Sequence, residues 1–479
     1  MKHVDVMIIG AGLSGIGAGY YLQTHCRNKT YAILEARPSL GGTWDLFRYP
    51  GVRSDSDMYT LGYTFRPWRD PKAIADGPAI LTYIRETAAE YGIDRHIHFN
   101  HTLRSASWSS KHARWTLTVE SERGLVHFTC TFLYMCTGYY TYDQGYTPEW
   151  NGVDRFQGAI IHPQQWPEQF DYTNKRIIII GSGATAVTLA PALAERAAHV
   201  TMLQRSPTYI VAAPAEDVMT TKLRRWLPER AAYSVARWRA IGIGMLTYLM
   251  ARSFPQTTRR MLIQAVRDQL GAGYDVARHF TPRYNPWDQR LCLVPDADLF
   301  QAIKDGAVSV ETDQIDTFTE GGIRLTSGKE LAADIIVTAT GLVMRLLNGI
   351  QLEIDGAPVD FAKTITYKGM MFSDIPNMAL ALGYTNASWT LKCELIAQYV
   401  CRLLNYMDRR GYTHCTPRRT DPTITEEPAV NFTSGYVQRA LASLPSQGSK
   451  KPWKLYQNYV LDFFAMRFGG VNDGTMVFG

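Results

Sequence analysis

A chain of 479 residues, 46% hydrophobic and 20% charged, is long enough for two or three domains, and its composition excludes a disordered chain and a multi-span membrane protein. The formal net charge is +6, from 50 basic and 44 acidic residues, and no recognisable nucleic-acid module accompanies it, so a nucleic-acid partner is not expected. Seven cysteines, odd in number, scattered and without a Cys-x-x-Cys pair, point to reduced thiols in a cytoplasmic setting.

The start, Met-Lys-His-Val-Asp, runs straight into the apolar Val6-Met7-Ile8-Ile9, a pattern without the regions of a secretion signal. Val4 to Ile9 reads as a strand, followed by Gly10-Ala11-Gly12-Leu13-Ser14-Gly15 and a helix to about Cys26. This is a dinucleotide turn: Gly10 allows the tight bend, Gly12 lets a pyrophosphate approach the backbone, and Gly15 lets helix and strand pack closely. The next strand-like run, Tyr31 to Leu34, ends in Glu35, where a carboxylate can accept both ribose hydroxyls. Paired glycines recur at Gly41-Gly42, where backbone donors can face a phosphate or an aromatic ring edge and Trp44 can supply a wall. His96, His98 and His101 lack a carboxylate or cysteine at a familiar ligand spacing and read as ordinary strand histidines, so no metal site is expected.

A second turn follows the β-branched run Arg176 to Ile180. It reads Gly181-Ser182-Gly183-Ala184-Thr185-Ala186-Val187-Thr188, with alanine in the third glycine position, a tolerated variant. The next strand, Val200 to Leu203, ends in Gln204-Arg205-Ser206, where NAD-selective folds place an acid. A cation and a hydroxyl there suit a 2′-phosphate, so the second turn is assigned NADPH. The segment Lys222 to Asp268 holds ten basic and two acidic residues, a local +8. Two readings of it stay open: a helical insertion with a solvated basic face, or peripheral attachment to a membrane surface. Its longest apolar run, about Ala240 to Ala251, is too short to span a bilayer.

Between the two turns lies Phe156-Gln-Gly158-Ala-Ile-Ile-His162-Pro-Gln-Gln-Trp166-Pro167. This Phe-x-Gly-x-x-x-His-x-x-x-Trp-Pro spacing resembles the signature of type I Baeyer–Villiger monooxygenases, and the order of motifs resembles that family along essentially the whole chain. The resemblance implies an α/β fold with two Rossmann-like dinucleotide-binding domains of flavin-containing monooxygenase architecture. It divides the chain into residues 1–142 (FAD domain, first part), 143–340 (NADPH domain, with a helical insertion at about 216–280) and 341–479 (FAD domain, second part). It implies flavin contacts from Ser14, Thr43, Trp44, Asp45, Leu46 and the stretch containing Arg53, Ser54 and Asp55, with Leu103 reaching the adenine through its backbone.

The resemblance further implies that Arg290 is the catalytic arginine and Asp55 its carboxylate partner, acting beside a C4a-peroxyflavin. The implied reaction consumes NADPH and molecular oxygen, turns small ketones into esters or lactones and oxidises sulfides or thioamides. An N- or S-oxidising flavin monooxygenase without ketone activity and an NADPH-flavin reductase are the alternatives. Phe156, Gly158, His162 and Trp166 are expected to form an extended linker packed on the flavin domain, coupling domain motion to catalysis. One departure stands out: many family members carry lysine where this chain has Gln289, so selection of NADPH would rest on Arg205 and Ser206. Oligomeric state is not read from the sequence.

Overall fold

A computed structural model describes residues 2–430 and 432–479. Two sheets organise it, one mixed and one wholly parallel. In the first, β1 (Lys2–Ile9) is central, parallel to β2 (Tyr31–Leu34) on one side and to β6 (Gly124–Met135) on the other, with β3 (Ile97–His98) beyond β2. Val6 to Ile9 is buried throughout, as expected of a parallel strand covered on both faces. β6 also leads an antiparallel meander with β5 (Arg114–Ser121) and β4 (His101–Ser109). Distant segments complete this sheet: Met378–Leu380 lies along the end of β6, and Gln351–Ile354 lies along β4.

The second sheet has the order Val308–Thr312, β9 (His199–Gln204), β8 (Arg176–Ile180), Ile335–Thr338, β7 (Ala159–Ile161), all parallel. In both sheets the chain moves outward from a central strand and then crosses to its other side. The reversal creates a crevice beyond the carboxyl ends of β1 and β8, the place where open α/β sheets bind ligands. Gly10 and Gly181 sit there with φ of 104° and 144°. A side chain on Gly10 would come within 2.5 Å of the Cys136 carbonyl, and one on Gly181 within 2.3 Å of that of Ala339.

The signature segment differs from its expected form. Residues 159–161 are an edge strand of the second sheet, and Pro163–Gln165 is a short 3-10 turn, because backbone pairing with Ile335–Val337 satisfies groups that a free linker would leave to water.

Four helices, Val218–Leu223, Glu229–Ser253, Pro255–Leu270 and Val276–His279, fill the span between the short parallel strands Ile210–Ala213 and Cys292–Pro295. The outward face of Glu229–Ser253 is not the solvated basic surface that composition suggested. Val235, Trp238, Leu246 and Leu249 are exposed along it, and their spacing keeps them on one stripe of the helix. None of the described helices is long and apolar enough to cross a membrane.

The helix Trp389–Arg410 packs on α1 (Leu13–His25) in the first core. It carries Glu394, which pairs at 2.6 Å with Arg237 of the insertion; each side chain is only 5% exposed. Arg237 also donates to the Tyr59 and Gly62 carbonyls, both at 2.7 Å, while Glu394 accepts from Tyr21 Oη and from the Thr64 amide and hydroxyl. The burial cost of both charges is therefore met by hydrogen bonds on all sides.

Candidate active site

The glycine turn after β1, the Gly41-Gly42 loop and the helix Ala184–Ala194 converge on a cavity of about 650 Å³, within the size range of cofactor sites. Gly12 and Gly42 meet backbone to backbone: a Cβ added to Gly42 would lie 3.0 Å from the Gly12 Cα. The cavity floor is thereby main chain at the head of α1, where unpaired N–H groups and the helix dipole favour phosphate. Glu35 lines the same cavity and is buried. Its two oxygens each accept one backbone N–H, from Ala11 at 2.7 Å and Arg37 at 3.0 Å, which leaves lone pairs for ribose hydroxyls. Burial raises its pKa, against the pull of those two amides.

Ser14, Thr43, Trp44, Arg53, Ser54, Asp55 and Leu103 all reach the cavity wall. Leu103 sits at a register shift in the β4–β5 ladder, where a bulge frees backbone from its pairing. Asp45 and Leu46 do not line the cavity. Asp45 is buried behind it, salt-bridged to Arg37 at 2.7 Å and Arg85 at 3.1 Å and bonded by Ser39, so its carboxylate holds the loop rather than a ligand. Ala186 and Val187 likewise point into the second core, whereas Ala184 and Thr188 face the cavity. Gly183 opens onto free space: a Cβ there would touch nothing within 4 Å. Ser182 is turned aside, its hydroxyl on the Ser206 carbonyl and Thr208. Arg205 and Ser206 stand exposed at the end of β9, and among the described residues Arg205 makes no ion pair.

Arg290, from the loop entering Cys292–Pro295, enters the cavity beside Asp55 with Nε 3.2 Å from Oδ2. Its side chain retains 41% exposure toward the cavity. The Asp55 charge holds the guanidinium above the ordinary arginine value, so it stays charged at any working pH. Burial pushes the neighbouring Tyr139 phenol and Cys292 thiol each up to about 12, and both remain neutral. The carrying loop is pinned twice, by Arg252 on Asp288 at 2.9 Å and by the Thr433 amide on the Asp288 carbonyl at 3.1 Å.

A family model described as flavin-binding monooxygenase-like matches residues 71–382, well over half of the chain, and one described as NAD(P)-binding Rossmann-like domain matches residues 8–70. The chain belongs to the flavin-binding monooxygenase-like family. Among its relatives, the FAD-containing monooxygenase EthA of Mycobacterium tuberculosis is 55% identical over all of this chain and 98% of its own length. The putative FAD-containing monooxygenase MymA of the same species is 50% identical, again over 100% of this chain and 98% of its own. The fold matches a steroid monooxygenase bound to NADP, with a TM-score of 0.77 at 23% identity, covering 100% of this chain and 99% of that one.

Tyr139, Tyr140 and Tyr142 of this monooxygenase line the cavity and were missed in the sequence. Tyr384 and Trp389, from the polar turn that opens the helix Trp389–Arg410 and whose tryptophan suits a pocket wall as well as a core position, line it too. Trp389 donates from Nε1 to the Ser14 hydroxyl at 3.0 Å and stacks on Tyr139 at 5.1 Å. The run Tyr139-Tyr140-Thr141-Tyr142 directly after the Cys136-Thr137-Gly138 exit from β6 was the available signal. His162 is outside the cavity wall. Its Nε2 lies 3.3 Å from the Gly341 carbonyl, and its Nδ1 accepts the Gln164 amide at 3.2 Å, an arrangement that suits a neutral ring protonated on Nε2. Burial depresses its pKa, in keeping with that neutral form. Gly341 lies where the chain leaves the second sheet, so the imidazole touches the crossing point between the two bodies. Phe156 packs with Phe318 and Trp166 with Phe170 and Tyr172; Gly158 lies under the Asp334 carbonyl, 2.3 Å from where a Cβ would be.

Proposed function

We propose that this chain is an FAD-containing, NADPH- and oxygen-dependent monooxygenase of the Baeyer–Villiger type, which converts small ketones to esters or lactones and oxidises sulfides or thioamides. The observation that carries the reading is the Arg290–Asp55 pair, set in a cavity walled by both nucleotide turns. The relative EthA is named an FAD-containing monooxygenase, and the residues present fit that group: a backbone floor, a buried ribose-side carboxylate and aromatic walls. When bound, the flavin supplies acceptance of two electrons from NADPH and their delivery to oxygen. The overall balance is ketone, oxygen, NADPH and a proton to ester, NADP and water.

The protein's own share is placement and charge. Gly10, Gly12, Gly15 and Glu35 would hold the FAD phosphates and ribose, with Ser14, Thr43, Trp44, Ser54, Asp55 and Leu103 around the rest. Ala184 and Thr188 form the NADPH side of the cavity, and Arg205 with Ser206 would take the 2′-phosphate. Asp55 holds Arg290 in one orientation before negative charge collects on a reacting oxygen, so the guanidinium needs little reorganisation at that moment. Residues 1–142 and 341–479 form the flavin body and 143–340 the NADPH body. The enzyme works in a reducing, cytoplasmic compartment, its helical insertion turned toward a membrane. Anaerobic reduction by NADPH, followed by mixing with oxygen and a panel of ketones and thioethers, tests the reading. Ester or sulfoxide formed in step with NADPH supports it, and hydrogen peroxide alone with every substrate overturns it.

Two substitutions test the parts. Arg205→Ala removes the single exposed cation at the end of β9 and is expected to raise the NADPH requirement by roughly 10- to 150-fold, the value of one charge-assisted contact, with NADH almost unchanged. Steady-state titration with both nucleotides checks this, and equal weakening toward both would reject it. His162→Ala removes the contact to Gly341 while leaving the flavin cavity intact. FAD content should stay parental while product per NADPH falls by roughly 5- to 150-fold, the usual range of coupling between sites. Parental coupling would remove the signature segment from the mechanism, and loss of FAD would make its role purely structural.

A further inference from the structure

The loop that carries Asp55 belongs to the flavin body by its backbone and to the NADPH body by its side chains. On either side of Arg53 its main chain is tied to residues 75–77, the Gly77 amide donating to the Val52 carbonyl at 2.7 Å and the Ser54 amide to that of Ala75 at 3.0 Å. Yet Tyr49 and Val52 are buried in the apolar core around the second sheet. Gly51, at φ 75°, lies so close to the helix Ala184–Ala194 that a Cβ there would stand 2.6 Å from that of Ala192.

Two ion pairs leave this loop, and their polarities are crossed. Asp55 meets Arg290 at 3.2 Å. Arg53 meets Asp298 through both terminal nitrogens, Nη1 on Oδ2 and Nη2 on Oδ1, the latter at 3.3 Å. Arg290 and Asp298 flank the strand Cys292–Pro295, so the two grips sit at opposite ends of an element about 13 Å long. A single ion pair leaves the bodies free to pivot about it, and the second blocks that rotation. Were the loop to slip, Arg53 would face Arg290 and Asp55 would face Asp298, and like charges exclude that register.

The Asp298 end is held firmly. Asp296 and Ala297 have left-handed backbone, with φ of 52° and 57°, a conformation that persists only where the surroundings over-determine it. Here the Asp296 amide donates to the Ala213 carbonyl at 2.8 Å, and its Oδ1 accepts the Ala215 amide at 3.0 Å. Leu299, Phe300 and Ile303 then bury the following helix, Asp298–Lys304, in the second core. The Arg53 side chain is 13% exposed and its Nε is buried without a partner. A pair that leaves a buried donor unmet is a poor source of stability; what it supplies is register.

We infer that Asp298, acting through Arg53, is a positioning residue for oxygenation, a role that rests on the monooxygenase reading above. The Arg53–Asp298 pair is the second grip that holds the NADPH body, and with it the Arg290 guanidinium, in place against the flavin loop.

The test is a double-mutant cycle on the FAD-loaded full chain, with 2-octanone, cyclohexanone and methyl phenyl sulfide as probes and with product, peroxide and NADPH all measured. Asp298→Asn should keep its FAD while ester formed per NADPH falls by about ten- to hundred-fold, the scale of a misplacement of about 1 Å, and peroxide rises in its place. Arg53→Met removes the same pair from the other side, should lose coupling alike, and decides the matter if Asp298→Asn does not fold. Because the pair acts through Arg290, Asp298→Asn/Arg290→Ala and Arg53→Met/Arg290→Ala should each yield no less ester per NADPH than Arg290→Ala alone. A merely structural pair would instead give losses that multiply, and that result overturns the role. Parental coupling in a variant of a coupled parent overturns it too, and leaves the monooxygenase reading standing. Loss of FAD from the variants assigns the pair to holding the cofactor and overturns it equally. A parent that turns every probe away and makes peroxide alone overturns both.

Discussion

Arg290→Ala is expected to lower ketone oxygenation by about 10²–10³-fold, the scale for removing one preorganised donor from a developing oxyanion, while FAD and NADPH still bind. The physical reason lies in the pair at 3.2 Å. The cation is already in place, oriented by Asp55, inside a cavity whose neighbouring Tyr139 and Cys292 remain neutral because burial pushes each up to about 12. The other arginines on the cavity wall are engaged elsewhere, Arg53 with Asp298, Arg37 with Asp45 and Arg104 with Glu120, so without Arg290 NADPH should be spent on hydrogen peroxide. Arg290→Lys should rescue poorly, since a point charge cannot hold Asp55 and face a reacting oxygen through one planar fork. Product formed per NADPH, with peroxide measured in parallel, decides the matter; a parental yield from Arg290→Ala would remove this residue from the chemistry.

Glu394→Gln is expected to destabilise the protein by about 3–5 kcal/mol, the cost of leaving one member of a buried ion pair without its counter-charge. Glutamine keeps the shape of the side chain and can still accept from Thr64 and Tyr21. The Arg237 guanidinium, 5% exposed, is then left with only two backbone carbonyls to offset its burial. Because Arg237 belongs to the insertion and Glu394 to the helix packed on α1, the loss should loosen the insertion from the flavin body as well. Urea unfolding of the FAD-loaded enzyme measures it, and a change below about 1 kcal/mol would show the pair to be energetically idle.

What could be read in advance was local. Gly10, Gly12, Gly15 and Glu35 form one strand-turn-helix unit whose spacing carries its own geometry, and the second turn repeats it. The basic end of β9 was legible for the same reason. Arg290 and Asp55 are 235 positions apart, and no periodicity brings them together; the pair came only through family resemblance. Asp45 shows the opposite failure. The family resemblance implied a flavin contact for it, yet Arg37 and Arg85 claim its carboxylate, and their approach depends on tertiary packing. The signature segment was misjudged because proline and polar residues hid a three-residue strand whose partner, Ile335–Val337, lies about 175 residues later. In the insertion, helical spacing puts Trp238, Leu246 and Leu249 on one apolar face, but only tertiary packing decides that this face turns outward.

The interleaving of the two sheets governs the order in which the chain can fold as it is made. All five strands of the second sheet lie between residues 159 and 338, so that body can close as soon as its segment has emerged. The first body cannot. β6 waits for Met378–Leu380, β4 waits for Gln351–Ile354, and α1 keeps an uncovered apolar side until Trp389–Arg410 arrives. At bacterial and eukaryotic synthesis rates of about 5–20 residues per second, the nascent N-terminal part spends tens of seconds as an incomplete sheet with an open flank. Until residues 351–410 have emerged, that open flank is the part of the chain exposed to misassociation, and chaperone cover and the pace of translation act on it.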